Sequence, residues 1–307
     1  MIPQQEMTSA AETGMDGELS AGEGVVEVAP GGRVVRCRAV SPLKVLLPKN
    51  HGHAAWLFVA SFGGGLVNGD ALRLRLKVGA GASAYVSTQA STKVYPGESS
   101  QRFEADVGEG GLLCALPDPV VCFAGASFRQ SQRVRLAEDA SLVWLDSVSA
   151  GRVEHGERWK LDRYESRTRV ERGGRLWIED AIRLDQAHGE LAGRMRRFSA
   201  LATLVAVGPR TLALRKHWLA AHGTERERGA PEVARDAQAS VAHTPAGRAR
   251  TGGDAGRAVL VAPSSLGEDG VVVRVAAERT RELLGALTSL LAPVAEMLGD
   301  DPLARKW

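Results

Sequence analysis

The sequence predicts an all-β fold: a helical, solenoid-like stack of β-strands in layers, with a carboxyl-terminal helix and one minor helix. Three observations carry that reading. First, the segments LRLRLKVGAGASAYVS, QRFEADVGEGGLLCAL, QRVRLAEDASLVWL and SRTRVERGGRLWIE share one pattern, an alternating strand, a tight acidic or glycine turn, and a more apolar second strand. Second, their turns follow Val78, Val107, Leu136 and Val170, at steps of 29, 29 and 34 residues. A two-strand repeat of about 30 residues suits a solenoid or layered β architecture, whereas propeller blades need four strands. Third, the two strands of a unit differ in kind, the first alternating and the second apolar throughout, as stacked layers require.

Taken in order, the chain opens on an acidic tail, residues 1–29, read as disordered. Its first 24 residues are polar and aperiodic and carry Glu6, Glu12, Asp16, Glu18 and Glu23, with no Lys or Arg before Arg33. A single β domain is expected over residues 30–307. The run Gly63-Gly64-Gly65-Leu66-Val67-Asn68-Gly69-Asp70 leads into a strand at Leu72 rather than a helix. It therefore reads as a bulge or tight backbone contact, since no helix amino terminus faces an anion.

In the first strands, Leu72, Leu74, Leu76 and Val78 alternate with Arg73, Arg75 and Lys77, and Val134 and Leu136 with Arg133 and Arg135. One face of that layer is wet. Second strands such as Leu112–Leu116 and Leu142–Leu145 lack the alternation and are expected to be covered on both faces. Turns such as Gly79-Ala80-Gly81 and Arg172-Gly173-Gly174 supply the backbone freedom that short connections need.

Thr211 to Ala221 is the minor helix candidate. Residues 222–257 hold Val233 and Val241 as their only larger aliphatics, so they read as a disordered insertion that buries too little to offset its ordering entropy. Val271 to Val275 reads as a strand. Thr280 to Leu298 then sets Leu283, Leu284, Leu287, Leu290, Leu291, Val294 and Leu298 at helical spacing, with Thr280 as its cap and Pro293 bending or dividing it.

Composition narrows the function. Lys and Arg number 39 against 36 Asp and Glu, a formal charge of +3, and the arginines alternate with acids instead of forming a basic block with interleaved aromatics. That pattern argues against nucleic-acid binding. Cys37, Cys114 and Cys122 show no disulfide or CxxC spacing, which points to a reducing compartment. With no basic leader and no apolar run near the roughly 20 residues of a bilayer span, the expected location is the cytoplasm. Phosphate-loop, HExxH, GxSxG and GxGxxG signatures are missing from the sequence. His51-Gly52-His53 is the one close histidine pair and lacks clustered carboxylates, so no tight metal site is expected.

Polar residues recur at a similar offset after each turn: Gln89, Asp118, Asp146 and Asp180. In a stacked repeat such positions line up on one face. This would set Gln89, Thr92 and Lys93, Asp118, Asp146 and Arg152, and Glu179 with Asp180, along one surface or channel wall. Asp is also an ordinary turn residue, and that reading stays open beside the first.

Three stretches resemble the urease accessory protein family called UreD or UreH: Gly64 to Asp70, Thr88-Gln89-Ala90-Ser91-Thr92-Lys93-Val94-Tyr95, and Asp146-Ser147-Val148-Ser149-Ala150-Gly151-Arg152 with Gly156-Glu157. Weaker agreement runs through Pro42-Leu43-Lys44, Leu116 to Val120, Arg194 to Pro209 and the terminal Arg305-Lys306-Trp307; the LPDPVVCF and VSAGR wording resembles the plant and fungal branch. The resemblance implies a non-enzymatic scaffold that joins a helical partner, UreF, and a GTPase, UreG, and docks on apo-urease so that nickel reaches the metallocentre. It also implies a helical stack of strands, with nickel held only transiently. The expected nickel path runs past Asp70, Asp146 and Glu179, with Gln89, Thr92, Lys93, Arg152 and Glu157 as wall or motif residues. The rival reading is a solenoid carbohydrate-active enzyme using aligned carboxylates as acid and base. Against it, only 5% of residues are aromatic and none clusters near those acids.

Overall fold

The computed structural model describes residues 18–227 and 258–304. The chain is mostly β-strand, in two sheets that do not close into a barrel. In chain order the first strands are β1 (Glu23–Ala29), β2 (Arg33–Ala39), β3 (Leu43–Leu46), β4 (Ala55–Ser61), β5 (Ala71–Val78) and β6 (Ser83–Thr88). There follow β7 (Lys93–Val94), β8 (Gly97–Val107), β9 (Leu112–Ala115), β10 (Val120–Cys122), β11 (Ala126–Leu136) and β12 (Ser141–Ser149). The last strands and helices are β13 (Arg163–Arg172), β14 (Arg175–Asp185), α1 (Leu191–Met195), β15 (Ala200–Val207), α2 (Leu212–Glu227), β16 (Val259–Leu266), β17 (Gly270–Ala277), α3 (Thr280–Leu291) and α4 (Val294–Leu298).

The seven-stranded sheet runs β14-β13-β11-β8-β5-β1-β2, and the ten-stranded sheet runs β16-β17-β15-β12-β9-β6-β4-β3, with β7 and β10 off that path. In the first three repeat units the first strand lies in the seven-stranded sheet and the second crosses to the other. Equivalent residues are parallel neighbours: Val78, Val107 and Leu136 in one sheet, Ser83, Leu112 and Ser141 in the other. The fourth unit departs from this. β13 pairs with Leu136 at Arg172 rather than Val170, and β14 turns back antiparallel onto β13 in the same sheet.

Burial explains the two strand types. In β11 the pattern alternates strictly, because one face packs on the second sheet and the other meets water. In β6, β9 and β12 every residue is buried. Their inner face, including Val86, Ala115 and Trp144, joins the inter-sheet core; their outer face, including Tyr85, Cys114 and Leu145, packs under α2 and α3. Trp218 of α2 ties this helical layer together by donating its indole N–H to the Leu290 carbonyl of α3 at 2.8 Å.

Several expectations need correction. The disordered tail does not reach residue 29: Val25, Val26 and Val28 are fully buried in β1, between β2 and β5, because their short apolar run completes the sheet. Residues 1–17 lie outside the described residues. The minor helix continues through Glu227, past the expected start of the insertion at residue 222, and residues 228–257 lie outside the described residues, as does the terminal Arg305-Lys306-Trp307. Thr280 is the first helical residue rather than the cap; the backbone N–H of Arg279 instead donates to the Glu282 carboxylate at 3.1 Å. Pro293 does divide the terminal helix, α3 ending at Leu291 and α4 starting at Val294.

Candidate functional site: a polar layer between the sheets

The inter-sheet core is apolar at the turn end, where Leu76, Val78, Val107, Val134 and Leu136 meet. Toward the other strand ends its composition changes. In the phase of β11 that faces inward, Phe128, Val134 and Leu136 share their side with Gln130 and Gln132, and in β13 the inward positions include Ser166 and Thr168. These four polar side chains are nine-tenths or more buried. Buried polar groups must find partners, and here they find each other. Gln130 Nε2 lies 2.9 Å from the Tyr164 hydroxyl and 3.0 Å from Ser166 Oγ, and the Thr168 hydroxyl donates to Gln132 Oε1 at 3.3 Å.

Asp146 of β12 enters this layer from the opposite sheet. It is 7% exposed. Its carboxylate accepts hydrogen bonds from Gln130 Nε2 at 2.8 Å, the Tyr164 hydroxyl at 3.2 Å and the Ser166 hydroxyl at 2.5 Å. Burial raises the Asp146 pKa, and the three donors offset only part of that shift. Burial likewise pushes the Tyr164 phenol well above its ordinary range, with the charge of Asp146 adding to the effect.

A cavity of about 60 Å³ reaches Asp146, lined also by Thr88, Gln101, Asp118, Gln130 and Gln132. That is room for several waters, each needing about 10–15 Å³. Trp144 Nε1 and Ser147 Oγ, on two further lining residues, are buried without a protein hydrogen-bond partner. A second cavity of about 120 Å³ shares Val59, Leu72, Thr88, Thr92 and Gln101 with the first, and is lined in addition by Gln89, Lys93 and the Gly64 to Leu66 backbone. Together they form a recess, apolar over most of its wall but carrying these polar groups, that leads inward from exposed Gln89 and Lys93 to buried Asp146. Thr88 and Asp118 are fixed halfway along by reciprocal hydrogen bonds of 3.0 and 2.9 Å.

The glycine run holds this mouth, as a tight backbone contact. Leu66 exchanges backbone hydrogen bonds with Lys93 and Tyr95 at 2.8 and 2.9 Å, and a Cβ on Gly65 would come within 2.7 Å of the Lys93 carbonyl. No side chain fits there.

Of the residues expected on one path, the structure brings together Gln89, Thr92, Lys93, Asp118 and Asp146. Asp180 stands at the β14 edge of the same layer, in register with Thr168, and the others lie elsewhere. Glu179 is exposed on the outer face of β14, paired with Arg167 at 2.6 Å and Arg169 at 3.6 Å, because the fourth unit is a hairpin and never crosses to the second sheet. Asp70 closes its own turn by accepting the Val67 N–H at 2.9 Å and lines a separate outer groove with Glu98, Arg129 and Arg163. Arg152 and Glu157 pair with each other at 2.9 Å, the guanidinium 4.4 Å over the Phe123 ring, and thereby pin the loop after β12. That ion pair, chiefly through its hydrogen bond, holds the Glu157 pKa below the usual value.

Among the described residues no group of three or more His, Cys, Asp and Glu is placed to hold a metal ion. The His51-Gly52-His53 loop is instead a docking contact: His51 N–H donates to Asp300 at 2.8 Å, His53 N–H to the Leu298 carbonyl at 3.2 Å, and a Cβ on Gly52 would lie 2.3 Å from that carbonyl. Sequence reasoning missed Gln101, Gln130, Gln132, Ser166 and Thr168. The signal was available: continuing the alternation of Val134 and Leu136 backward along β11 puts both glutamines on the apolar face.

The chain matches the family model described as UreD urease accessory protein over residues 21–307. It is 52% identical over 296 residues to the urease accessory protein UreD of Sorangium cellulosum, covering 95% of this chain and 85% of that one. To the urease accessory protein D of Arabidopsis thaliana it is 30% identical over 306 residues, covering 93% and 100%. A UreD-like protein of Schizosaccharomyces pombe is 30% identical over 187 residues, covering 56% and 64%. The wording that resembles the plant and fungal branch therefore does not place the chain there, the bacterial relative being much the more similar. Because the match spans both sheets, the polar layer and the helical cover, and names an accessory protein rather than a catalyst, the carbohydrate-active reading falls away, and the chain belongs to the UreD family of urease accessory proteins.

Proposed function

We propose that this chain is a urease accessory scaffold which, with a UreF-like helical partner and a UreG-like GTPase, docks on apo-urease in the cytoplasm and helps deliver nickel to the metallocentre. Nickel is cargo, held transiently and released. The three crossover units form a short helical stack whose two walls keep the recess open, and the cargo passes from Gln89 and Lys93 to Asp146. One observation carries this reading: a buried carboxylate surrounded by neutral donors stands at the inner end of a recess, within a polar layer of an inter-sheet core that is apolar at its turn end. A divalent ion in such an interior needs carboxylate and water beside it, and conduction needs sites weak enough to let go.

The test is co-expression of the chain with the two partners and apo-urease, followed by nickel-dependent urease activation. Asp146→Ala is expected to assemble with the partners and to load urease with nickel several-fold more slowly. Normal assembly with a normal activation rate would show that the cargo does not pass Asp146. Glu179→Gln, on the outer face of β14 away from the recess, is expected to activate urease at the native rate.

A further inference from the structure

The cavity stops at Asp146, but the polar row containing it continues. Across the ten-stranded sheet Asp146 is in register with Thr203, and Thr203 with Arg274, so successive strands β12, β15 and β17 set three polar side chains side by side on one face. Thr203 is 4% exposed and accepts a hydrogen bond from Arg274 Nη1 at 3.2 Å. Arg274 Nη2 then crosses to the other sheet and pairs with Asp180 of β14 at 2.5 Å. Asp180 is itself in register with Thr168, the buried partner of Gln132. One ion pair therefore closes the β14–β17 end of the layer that Asp146 occupies.

The chemistry of that pair is unlike the rest of the row. A guanidinium keeps its charge at any ordinary pH, so it repels a cation advancing from Asp146. Asp180, which holds it, is the next carboxylate such a cation would meet. The side chains differ in freedom: Arg274 is 55% exposed and Asp180 18%, so the guanidinium has solvent to turn into while the carboxylate stays at the layer. We propose that Arg274 and Asp180 form a charge-operated gate at the far end of the passage, shut while Asp180 holds the guanidinium and opened when a divalent cation takes Asp180 in its place. The exchange makes and breaks no covalent bond. This inference rests on the passage reading given above.

The experiment uses the full chain, loaded with Ni²⁺ by equilibrium dialysis and mixed in stopped flow with an excess of a chromophoric chelator. Arg274→Gln is expected to release Ni²⁺ about fivefold faster than the native chain, the scale on which one partly exposed ion pair acts. Arg274→Lys, which keeps the charge, is expected to stay near the native rate. The double variant R274Q/D180N, which leaves no unpaired carboxylate, serves as a second open form should the single one fold poorly, and is expected to release as fast. Asp146→Asn reports on the passage itself. If Asp146→Asn weakens Ni²⁺ binding while both open forms release at the native rate, the passage stands and the gate is overturned. If Arg274→Lys opens as much as Arg274→Gln, the charge is not what closes the end and the gate is likewise overturned. If no variant, Asp146→Asn included, alters binding or release, the passage reading falls first and the gate with it.

Discussion

Asp146 meets neutral hydrogen-bond donors from Gln130, Tyr164 and Ser166, and its burial raises the pKa despite them. The sign of the stability effect follows. In the unfolded chain the group ionises near about 3.9, whereas in the fold it keeps its proton to higher pH, so its contribution to stability is full below that value and is lost as pH rises through the folded pKa. Asp146→Asn carries no such loss. Its stability relative to the native chain should therefore rise with pH from about 4 upward, read as the difference in urea midpoints across a pH series. A difference that is flat from acid to neutral pH would show that the fold leaves the carboxyl's pKa unshifted. The sequence made Asp146 legible because it recurs at the polar offset after the turn and opens the Asp146-to-Arg152 stretch. Glu179 looked equivalent by offset alone, and offset does not say which sheet a strand joins.

That distinction belongs to the elements. Three of the four repeat units cross from one sheet to the other, and their period was readable because parallel stacking keeps equivalent residues in register. The fourth has the same alternation, yet its Gly173-Gly174 turn closes a hairpin, and period-two patterning is identical for a strand that stays and one that crosses. The carboxyl-terminal helix was legible from leucine spacing, but its lock to α2 was not: Trp218 is fully buried and hydrogen-bonded to Leu290 across α2 and α3. Trp218→Ala should destabilise the fold by about 3–5 kcal/mol, and Trp218→Phe by distinctly less, measured from denaturant midpoints. Equal losses would assign the effect to the indole hydrogen bond rather than to the cavity. A second element-level lock is the His51–His53 loop. Gly52→Val has no room against the Leu298 carbonyl and should lower the melting temperature by several degrees, about 1–3 kcal/mol of overpacking.

For the whole molecule, the excess of arginine proves to be spent on the outer face of the seven-stranded sheet. One row there reads Glu27, Lys77, Asp106, Arg135 and Glu171, each in register with the next, with Lys77 3.1 Å from Glu27 and Arg135 Nη2 2.9 Å from Asp106. Alternating signs cancel at short range, so this face lacks the single-sign field that draws polyanions. Contact with a partner must then be sought where apolar side chains stand in water. Phe62 is 57% and Val67 52% exposed, on the two sides of the Gly64 to Leu66 segment that lines the mouth of the recess, with the Lys44 ammonium 5.6 Å above the Phe62 ring. A partner seated on this turn would cover the mouth and receive or supply the cargo without exposing it to bulk chelators. Because both side chains are already exposed, replacing them with Ser should change stability by no more than about 0.5 kcal/mol. If Phe62 is an interface anchor, the Phe62→Ser/Val67→Ser pair should nonetheless weaken co-purification with the UreF-like partner by about tenfold or more, as loss of a buried aromatic contact does. The decisive comparison is between that pair and Leu176→Ser, an equally exposed apolar residue on β14, far along the sheet order from β5. Retained binding by the first pair and loss with Leu176→Ser would move the interface to the other end of the sandwich.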